Sequence, residues 1–258
     1  MDNEQPEQEK AQAKEDFNIA LQPDKIIKTI EALEKRIDDR FPNSSLTKTC
    51  SGFLDIAQHS HENIVYIGRP NLPIRIFAVA IIIMGVIGIS YSFTLVDFSF
   101  SHLTFVDIVT LAEATINDLV LLGAAIFFLV TLEVRLKRNK AIQILDQLRG
   151  LAHVIDMHQL TKDPIMVGVI KLKTYNSPER TLSKFELQRY LDYCSEMLSL
   201  IGKVAALYSQ SLPDDVIVGA VNEIESLTSG LSRKVWQKII ILAGIDDNPT
   251  PRLDTDVQ

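Results

Sequence analysis

The sequence predicts an all-α membrane protein, in which a two-span transmembrane helical hairpin carries a cytoplasmic helical bundle. Three observations favour this fold class. Two apolar blocks in the middle of the chain approach the length of a bilayer-spanning helix. The loop between them carries only acidic charges, whereas basic residues flank the blocks on their other sides. The C-terminal third repeats apolar residues at heptad spacing, which is typical of helical bundles.

The composition excludes several classes of protein. The 258 residues are 47% hydrophobic and 23% charged, with a formal net charge of −7, and the mean hydropathy is +0.12. Because the apolar residues are concentrated in two blocks, this argues against a wholly soluble domain and against a disordered chain. The acidic balance argues against a nucleic-acid partner. Cys50 and Cys194 are distant and form no CxxC motif, so a disulfide scaffold or zinc ribbon is excluded.

The first transmembrane helix is predicted over residues 72–96. Its core, Ile76 to Val96, is 21 consecutive uncharged residues, which at about 1.5 Å per residue reach roughly 30 Å, the hydrocarbon thickness of a bilayer. The block is apolar on every face, so an amphipathic surface helix would not use it. A buried core helix of a soluble protein is the alternative interpretation.

The second transmembrane helix is predicted over residues 119–135. Its apolar core, Leu119 to Leu132, is shorter and taken alone would be ambiguous with a core helix. We interpret it as a span because it completes a hairpin with the first block. The outward-facing loop, residues 97–118, has helical periodicity from Thr104 to Asn117, so we expect an amphipathic helix there. The sequence leaves open whether this helix continues into the second span. At the other end of the span, Glu133 can pair with Lys137 one turn later.

The flanking charges predict the orientation. Four basic residues follow the second span: Arg135, Lys137, Arg138 and Lys140. Arg69 and Arg75 precede the first span, and the connecting loop has no Lys or Arg. By the positive-inside rule we expect a multi-pass protein of the plasma (inner) membrane with both termini cytoplasmic. The same four residues are predicted to contact the anionic headgroups of membrane lipids.

Small residues in the spans predict close helix packing. They are Gly85, Gly88 and Ser92 in the first span, and Gly123 and Ala124 in the second. Such residues let helix backbones approach within a hairpin or between subunits, and the sequence leaves both interpretations open. No ionisable residue lies near mid-bilayer in either span, which argues against active transport.

The remaining segments are predicted to be cytoplasmic. Residues 1–22 form a disordered charged tail, residues 23–71 two helices separated at Phe41-Pro42, residues 136–245 a helical domain, and residues 246–258 a flexible tail. Within the helical domain, residues 165–173 are rich in β-branched side chains and predict an extended connector.

The clearest amphipathic helix has a heptad seam of five residues: Leu187, Leu191, Cys194, Leu198 and Ile201. Ser183 with Glu186 fits a capping box at its start. Leu212-Pro213 ends it, and we expect Ser211 to cap the last helix, with Asp214 at its third position. That helix is predicted to run to residue 243 as an antiparallel neighbour.

Residues with chemical potential are few and scattered. The histidine segments His59 to Glu62 and His153 to His158 contain metal-ligand types, but their spacing supplies too few ligands on one face, so no metal site is predicted. Cys50 is expected to be more exposed than Cys194. Hydrolase, zincin and nucleotide-loop motifs are absent from the sequence, so we predict no catalytic residue and no cofactor. Trp236 is either a partner anchor or an ordinary packing residue.

These observations favour a non-enzymatic membrane anchor or scaffold. Its helical bundle would mediate interaction with a protein partner or homo-oligomerisation, and its spans would contact membrane lipids. The alternative is an oligomeric pore-forming or membrane-perturbing two-span effector, because two helices enclose a pore only as an oligomer.

Overall fold

The protein is all-α over the residues that its computed structural model describes, which are 20–95, 105–164, 175 and 182–244. That part of the chain contains no strand. Its helices are α1 (Pro23–Arg40), α2 (Ser45–Gly68), α3 (Leu72–Leu95), α4 (Phe105–Leu160), α5 (Lys184–Ser211) and α6 (Asp215–Ala243). Residues 1–19 of the predicted N-terminal tail, the predicted C-terminal tail at 246–258 and the predicted extended connector at 165–173 lie outside the described residues.

The chain divides into two compact units. The core unit comprises Met1–Ile64 and Ile144–Gln258, and the apolar unit comprises Val65–Gln143. Helices α2 and α4 contribute residues to both.

Helix α1 begins the core unit as the sequence predicts. Pro23 occupies its first turn, where a missing N–H is tolerated. Its buried residues recur at intervals of three and four: Ile26, Ile30, Leu33 and Ile37. The helix ends at Phe41, which precedes a proline and is therefore disfavoured in the helical conformation. The Phe41 ring packs edge-on against Tyr190 of α5, with 5.7 Å between the ring centroids.

Helices α5 and α6 form the most extensive helix pair in the core unit. The five residues of the heptad seam are all buried. On α6 the buried positions recur with the same period: Ile217, Val221, Ile224, Thr228, Leu231, Val235, Ile239 and Leu242. The predicted capping box is confirmed, since Ser183 Oγ accepts the Glu186 N–H and the Glu186 carboxylate accepts the Ser183 N–H.

The expected N-cap of α6 is wrong, although the helix itself begins at Asp215 and ends at Ala243. Asp214, rather than Ser211, is the N-cap, and its carboxylate accepts the N–H groups of Val216 and Ile217. Ser211 is still the last residue of α5, with its hydroxyl donating to the Leu207 carbonyl. Leu212 is extended because it precedes Pro213, so the chain re-enters helical geometry only after Asp214.

The apolar unit contains α3 and the first part of α4. Two helices are long and apolar enough to cross a membrane, by length and composition. Helix α4 begins at Phe105, so the helix expected in the loop is continuous with the second apolar block. Large side chains on these helices are exposed, including Met84 at 68% and Phe127 at 73%. These apolar side chains are therefore not packed into a core within the chain, whereas those of the core unit are.

Candidate functional site

The end of the apolar unit that carries the basic residues is organised around one carboxylate. Lys137 Nζ lies 2.9 Å from Glu133 Oε1 and also donates to the Arg69 carbonyl at 2.9 Å. The two side chains are only 12% and 13% exposed, so the ion pair is largely withdrawn from solvent. The predicted pairing of Glu133 with Lys137 is confirmed.

The same carboxylate joins the two helices of the unit. The backbone N–H of Asn71, the residue before α3, donates to Glu133 Oε1 at 3.1 Å. Arg75 Nε lies 3.8 Å from Glu133 Oε2. A carboxylate at a helix N-terminus satisfies an orphan donor and is favoured by the helix dipole. We call Asn71, Arg75, Glu133 and Lys137 the Glu133 cluster.

Tyr66 extends the Glu133 cluster with an aromatic contact. Lys140 Nζ lies 3.9 Å from the centre of the Tyr66 ring, and Asn71 Nδ2 donates to the Tyr66 hydroxyl at 3.2 Å. Tyrosine and lysine at the end of an apolar helix are the types enriched where a span meets the headgroup region. Of the predicted headgroup residues, Lys137 is engaged within the chain, and Arg135 is exposed.

The predicted packing residues differ in their surroundings. A Cβ built on Gly85 would lie 3.1 Å from Leu122 Cδ1 of α4, so the helices approach closely at this glycine. A Cβ built on Gly88 or on Gly123 would have no heavy atom of another part of the chain within 4 Å.

Ala124 is exposed on α4, and the side chain of Ser92 lies outside what the structure describes. Near Gly85, a cavity of about 290 Å³ separates the helices, with Met84, Leu121 and Asp118 on its lining.

A groove between α5 and α6 is a concave surface of the core unit. Its volume is about 730 Å³, and a second cavity of about 490 Å³ adjoins it. Both are lined by the same four residues: Ser195, Ser199, Lys203 and Trp236. We call this combined surface the α5–α6 groove. Trp236 is 56% exposed there, so it is not a packing residue of the core.

Small residues create the α5–α6 groove. A Cβ built on Gly202 would lie 3.3 Å from Thr228 Oγ1 on the facing helix. Ser229 and Ser232 continue this row of short side chains along α6. Helix backbones can therefore approach closely at these short side chains. The heptad seam predicted the buried face of α5, and the sequence alone did not indicate that Gly202 and Thr228 would meet.

The histidines do not converge. His59 Nδ1 contacts the Asp55 carbonyl, and His61 Nε2 lies 3.9 Å from Asp24. His158 Nε2 shares a 3.0 Å hydrogen bond with Thr49 Oγ1. Among the described residues no three His, Cys, Asp or Glu side chains form a group that could hold a metal ion.

The two cysteines are both buried, so the expectation of an exposed Cys50 is wrong. Cys50 lies on the inner face of α2, one turn from Phe53 and Leu46, which are also buried. Burial raises the pKa of Cys50 to about 12, and that of Cys194 likewise to about 12. Neither thiol is a thiolate near neutral pH, which removes the usual chemical basis for nucleophilic attack.

A hydrogen bond between α4 and α6 was not predicted from the sequence. Lys238 Nζ donates to the Gln159 carbonyl, and Gln159 Nε2 donates to Asp156 at 2.6 Å. Burial lowers the pKa of Lys238, while Asp163 and Asp156 act in the opposite direction. This arrangement fastens the end of α4 to α6.

Comparisons with known proteins leave the function to be argued from this geometry. No protein-family model, no curated protein and no solved structure matches the chain.

We predict that His158 makes the core unit sensitive to acid. Burial, followed by the nearby Lys162 charge, lowers the pKa of His158 in the folded state. Folded protein then binds fewer protons than unfolded protein once the pH falls below the ordinary histidine pKa of about 6.5. Stability should therefore fall as the pH decreases through this value, and His158→Gln should reduce that loss. Thermal unfolding of the full chain followed by circular dichroism from pH 7.5 to 5.5 measures the effect.

His59→Gln is the matched control for this titration. His59 is exposed, and its hydrogen bond to the Asp55 carbonyl raises its pKa. Its contribution has the opposite sign, being present at low pH and lost as the pH rises. The prediction is wrong if His158→Gln and the unmodified chain lose stability in parallel on acidification.

We also predict that Lys137→Met destabilises the apolar unit. The substitution leaves the Glu133 carboxylate buried without its closest cation, which costs about 3 kcal/mol, the lower end of the usual range because Arg75 remains nearby. The double variant Glu133→Gln/Lys137→Met should recover most of this loss. Lys140→Met, which removes a cation–π contact, should cost about 1 kcal/mol or less. Thermal unfolding in detergent distinguishes them, and equal losses for the two lysine variants would contradict a buried pair.

Proposed function

We propose that this chain is a non-enzymatic integral membrane anchor or scaffold of the plasma membrane, with two spans and both termini in the cytoplasm. Its core unit would bind a protein partner or a further copy of the chain. The observation that carries the proposal is the exposure of large apolar side chains on both helices of the apolar unit, represented by Met84, Ile87, Phe127 and Phe128.

The free energy of this exposure favours lipid as the surrounding medium. Each large apolar side chain left in water forgoes roughly 1.5–3 kcal/mol of burial. The most apolar stretch of the first candidate span has no buried residue, and that of the second has 6% buried. A water-soluble monomer rarely presents so large a contiguous apolar surface, whereas a membrane protein requires it.

The charges at the two ends of the apolar unit support the proposed orientation. The Glu133 cluster, with Tyr66 and Lys140, lies at one end, and it is joined there by the exposed Arg135. The sequence between the spans has only acidic charges, including Glu113 and Asp118. This asymmetry favours retention of the basic end in the cytoplasm.

The α5–α6 groove supports the binding role of the core unit. It combines an exposed tryptophan with arginine at its rim, the residue types that concentrate binding energy in protein interfaces. Its hydroxyl side chains offer hydrogen bonds to an incoming segment. The two thiols are buried, and among the described residues no three His, Cys, Asp or Glu side chains form a group that could hold a metal ion.

Cysteine accessibility tests the membrane topology. Ser101→Cys places a thiol between the spans and Ser177→Cys places one in the connector before α5, while the native thiols are buried. A membrane-impermeant maleimide should label Ser101→Cys in intact cells and Ser177→Cys only after permeabilisation. The protein should stay in the membrane pellet after alkaline carbonate washing. Extraction by carbonate, or labelling of both positions from the same side, would contradict the proposal.

A pore-forming oligomer is the second candidate, and the open surroundings of Gly123 on the outside of α4 favour it. Two substitutions separate it from the anchor. Gly85→Leu places a side chain against Leu122 within the chain and should lower thermal stability by about 1–3 kcal/mol through overpacking. Gly123→Leu meets no part of its own chain, so its stability should not change.

Native mass spectrometry in mild detergent, with dye-leakage measurements, completes this comparison. For an anchor, the intact chain should be a monomer or dimer, or carry a protein partner, and Gly123→Leu should leave its mass unchanged. A closed ring of several subunits, lost together with dye leakage in Gly123→Leu, would replace the anchor by the pore.

A further inference from the structure

We propose that the α5–α6 groove is occupied by the segment of this same chain that immediately precedes α1, residues 15–19. The groove lies in the core unit and contains the sole tryptophan of the sequence. Three observations carry the assignment: the position of Leu21, the balance of charge on the lining, and the apolar pattern of the segment.

Leu21 gives the segment its point of entry. It lies two residues before α1 and lines the same groove as Trp236 and Arg233. A segment that precedes Leu21 would therefore have the groove within reach. At about 3.3 Å per residue in extended conformation, Phe17 can reach a point roughly 13 Å from Leu21, so no long linker has to be ordered for binding.

The charges on the lining favour an acidic occupant. Within the described part of the chain, Lys203 contacts Ser199 and has no carboxylate partner, and Arg233 has none either. Glu225 is the one acidic residue on the lining of the larger cavity. Glu15 and Asp16 would add two negative charges where two cations meet one carboxylate.

The charged residues of the adjoining cavity are already paired. Arg189 Nη1 lies 3.4 Å from Asp192, and Glu196 lies 2.6 Å from Arg36. Their charges are thus largely neutralised within the core unit. Lys203, shared by both cavities, remains the cation that the segment would meet.

The apolar residues of the segment match the aromatic lining. Phe17, Ile19 and Leu21 alternate with Asn18 and Ala20, so in an extended conformation they share one face. Leu21 already lies in the groove, so Phe17 and Ile19 would face the same lining. Trp236 is 56% exposed and offers the large apolar surface on which an aromatic ring gains most.

An occupied groove would have to be vacated before a partner could bind. This consequence rests on the proposed function, whereas the occupancy itself does not depend on it. Tethering gives the segment an effective concentration on the order of millimolar, so a partner would compete against it.

The fluorescence of Trp236 tests the occupancy directly. The full chain and a variant lacking residues 2–19 are placed in lipid nanodiscs, and acrylamide quenching and the emission maximum are compared. Deletion should increase the quenching constant several-fold and shift the emission to longer wavelength, because the indole loses its cover. Equal quenching in the two proteins, with unchanged circular dichroism, would overturn the proposal.

Matched variants keep the test specific. Phe17→Ser combined with Glu15→Lys and Asp16→Lys should reproduce the deletion, whereas Glu4→Lys with Glu7→Lys, far from Leu21, should behave as the full chain. If the protection of Trp236 from acrylamide disappears on dilution, the groove binds a second copy of the chain, and intramolecular binding is overturned. Because the readout needs neither a partner nor a membrane orientation, its failure is distinguishable from failure of the proposed function.

Discussion

Apolar side chains are buried in the core unit and exposed in the apolar unit, and the rest of the structure depends on this difference. In the core unit, Leu198 and Ile224 are removed from solvent by neighbouring helices of the same chain. In the apolar unit, Met84 and Phe127 are exposed although they belong to equally apolar helices. In the proposed membrane anchor, lipid would account for the difference, because it removes apolar surface from water without requiring an internal core. The core unit instead needs periodic amphipathic helices, and it has them.

The Glu133 cluster satisfies the polar groups at the end of an apolar helix. A helix N-terminus withdrawn from water needs acceptors for its orphan N–H groups, and one carboxylate satisfies Asn71 while pairing with Lys137. The same atoms therefore neutralise a charge, cap α3 and link it to α4. Under the proposed orientation, Lys137 would contribute to positive-inside topology in addition to pairing with Glu133.

The sequence predicted those features that depend on local spacing. The seam from Leu187 to Ile201, the capping box at Ser183 and the i,i+4 pairing of Glu133 with Lys137 all follow from helical periodicity. Features that depend on distant residues were missed, such as Asn71 on Glu133 and Thr228 against Gly202. Asp214 replaced Ser211 as a cap because Pro213 delays the helix. Cys50 was misplaced because a small polar neighbourhood in sequence says little about which face of a helix is buried.

The α5–α6 groove follows from the same packing rules that bury the seam. Gly202 and Thr228 allow the helices to meet closely, and the longer side chains of Lys203 and Trp236 line the groove beside them. Hydration of an exposed indole ring is unfavourable, so burying Trp236 under a ligand of complementary shape would be favourable. Under the proposed function, lipid would cover the exposed apolar side chains of the apolar unit, whereas the groove of the core unit would be covered by a protein segment. The proposal therefore assigns attachment to the apolar unit and recognition to the core unit.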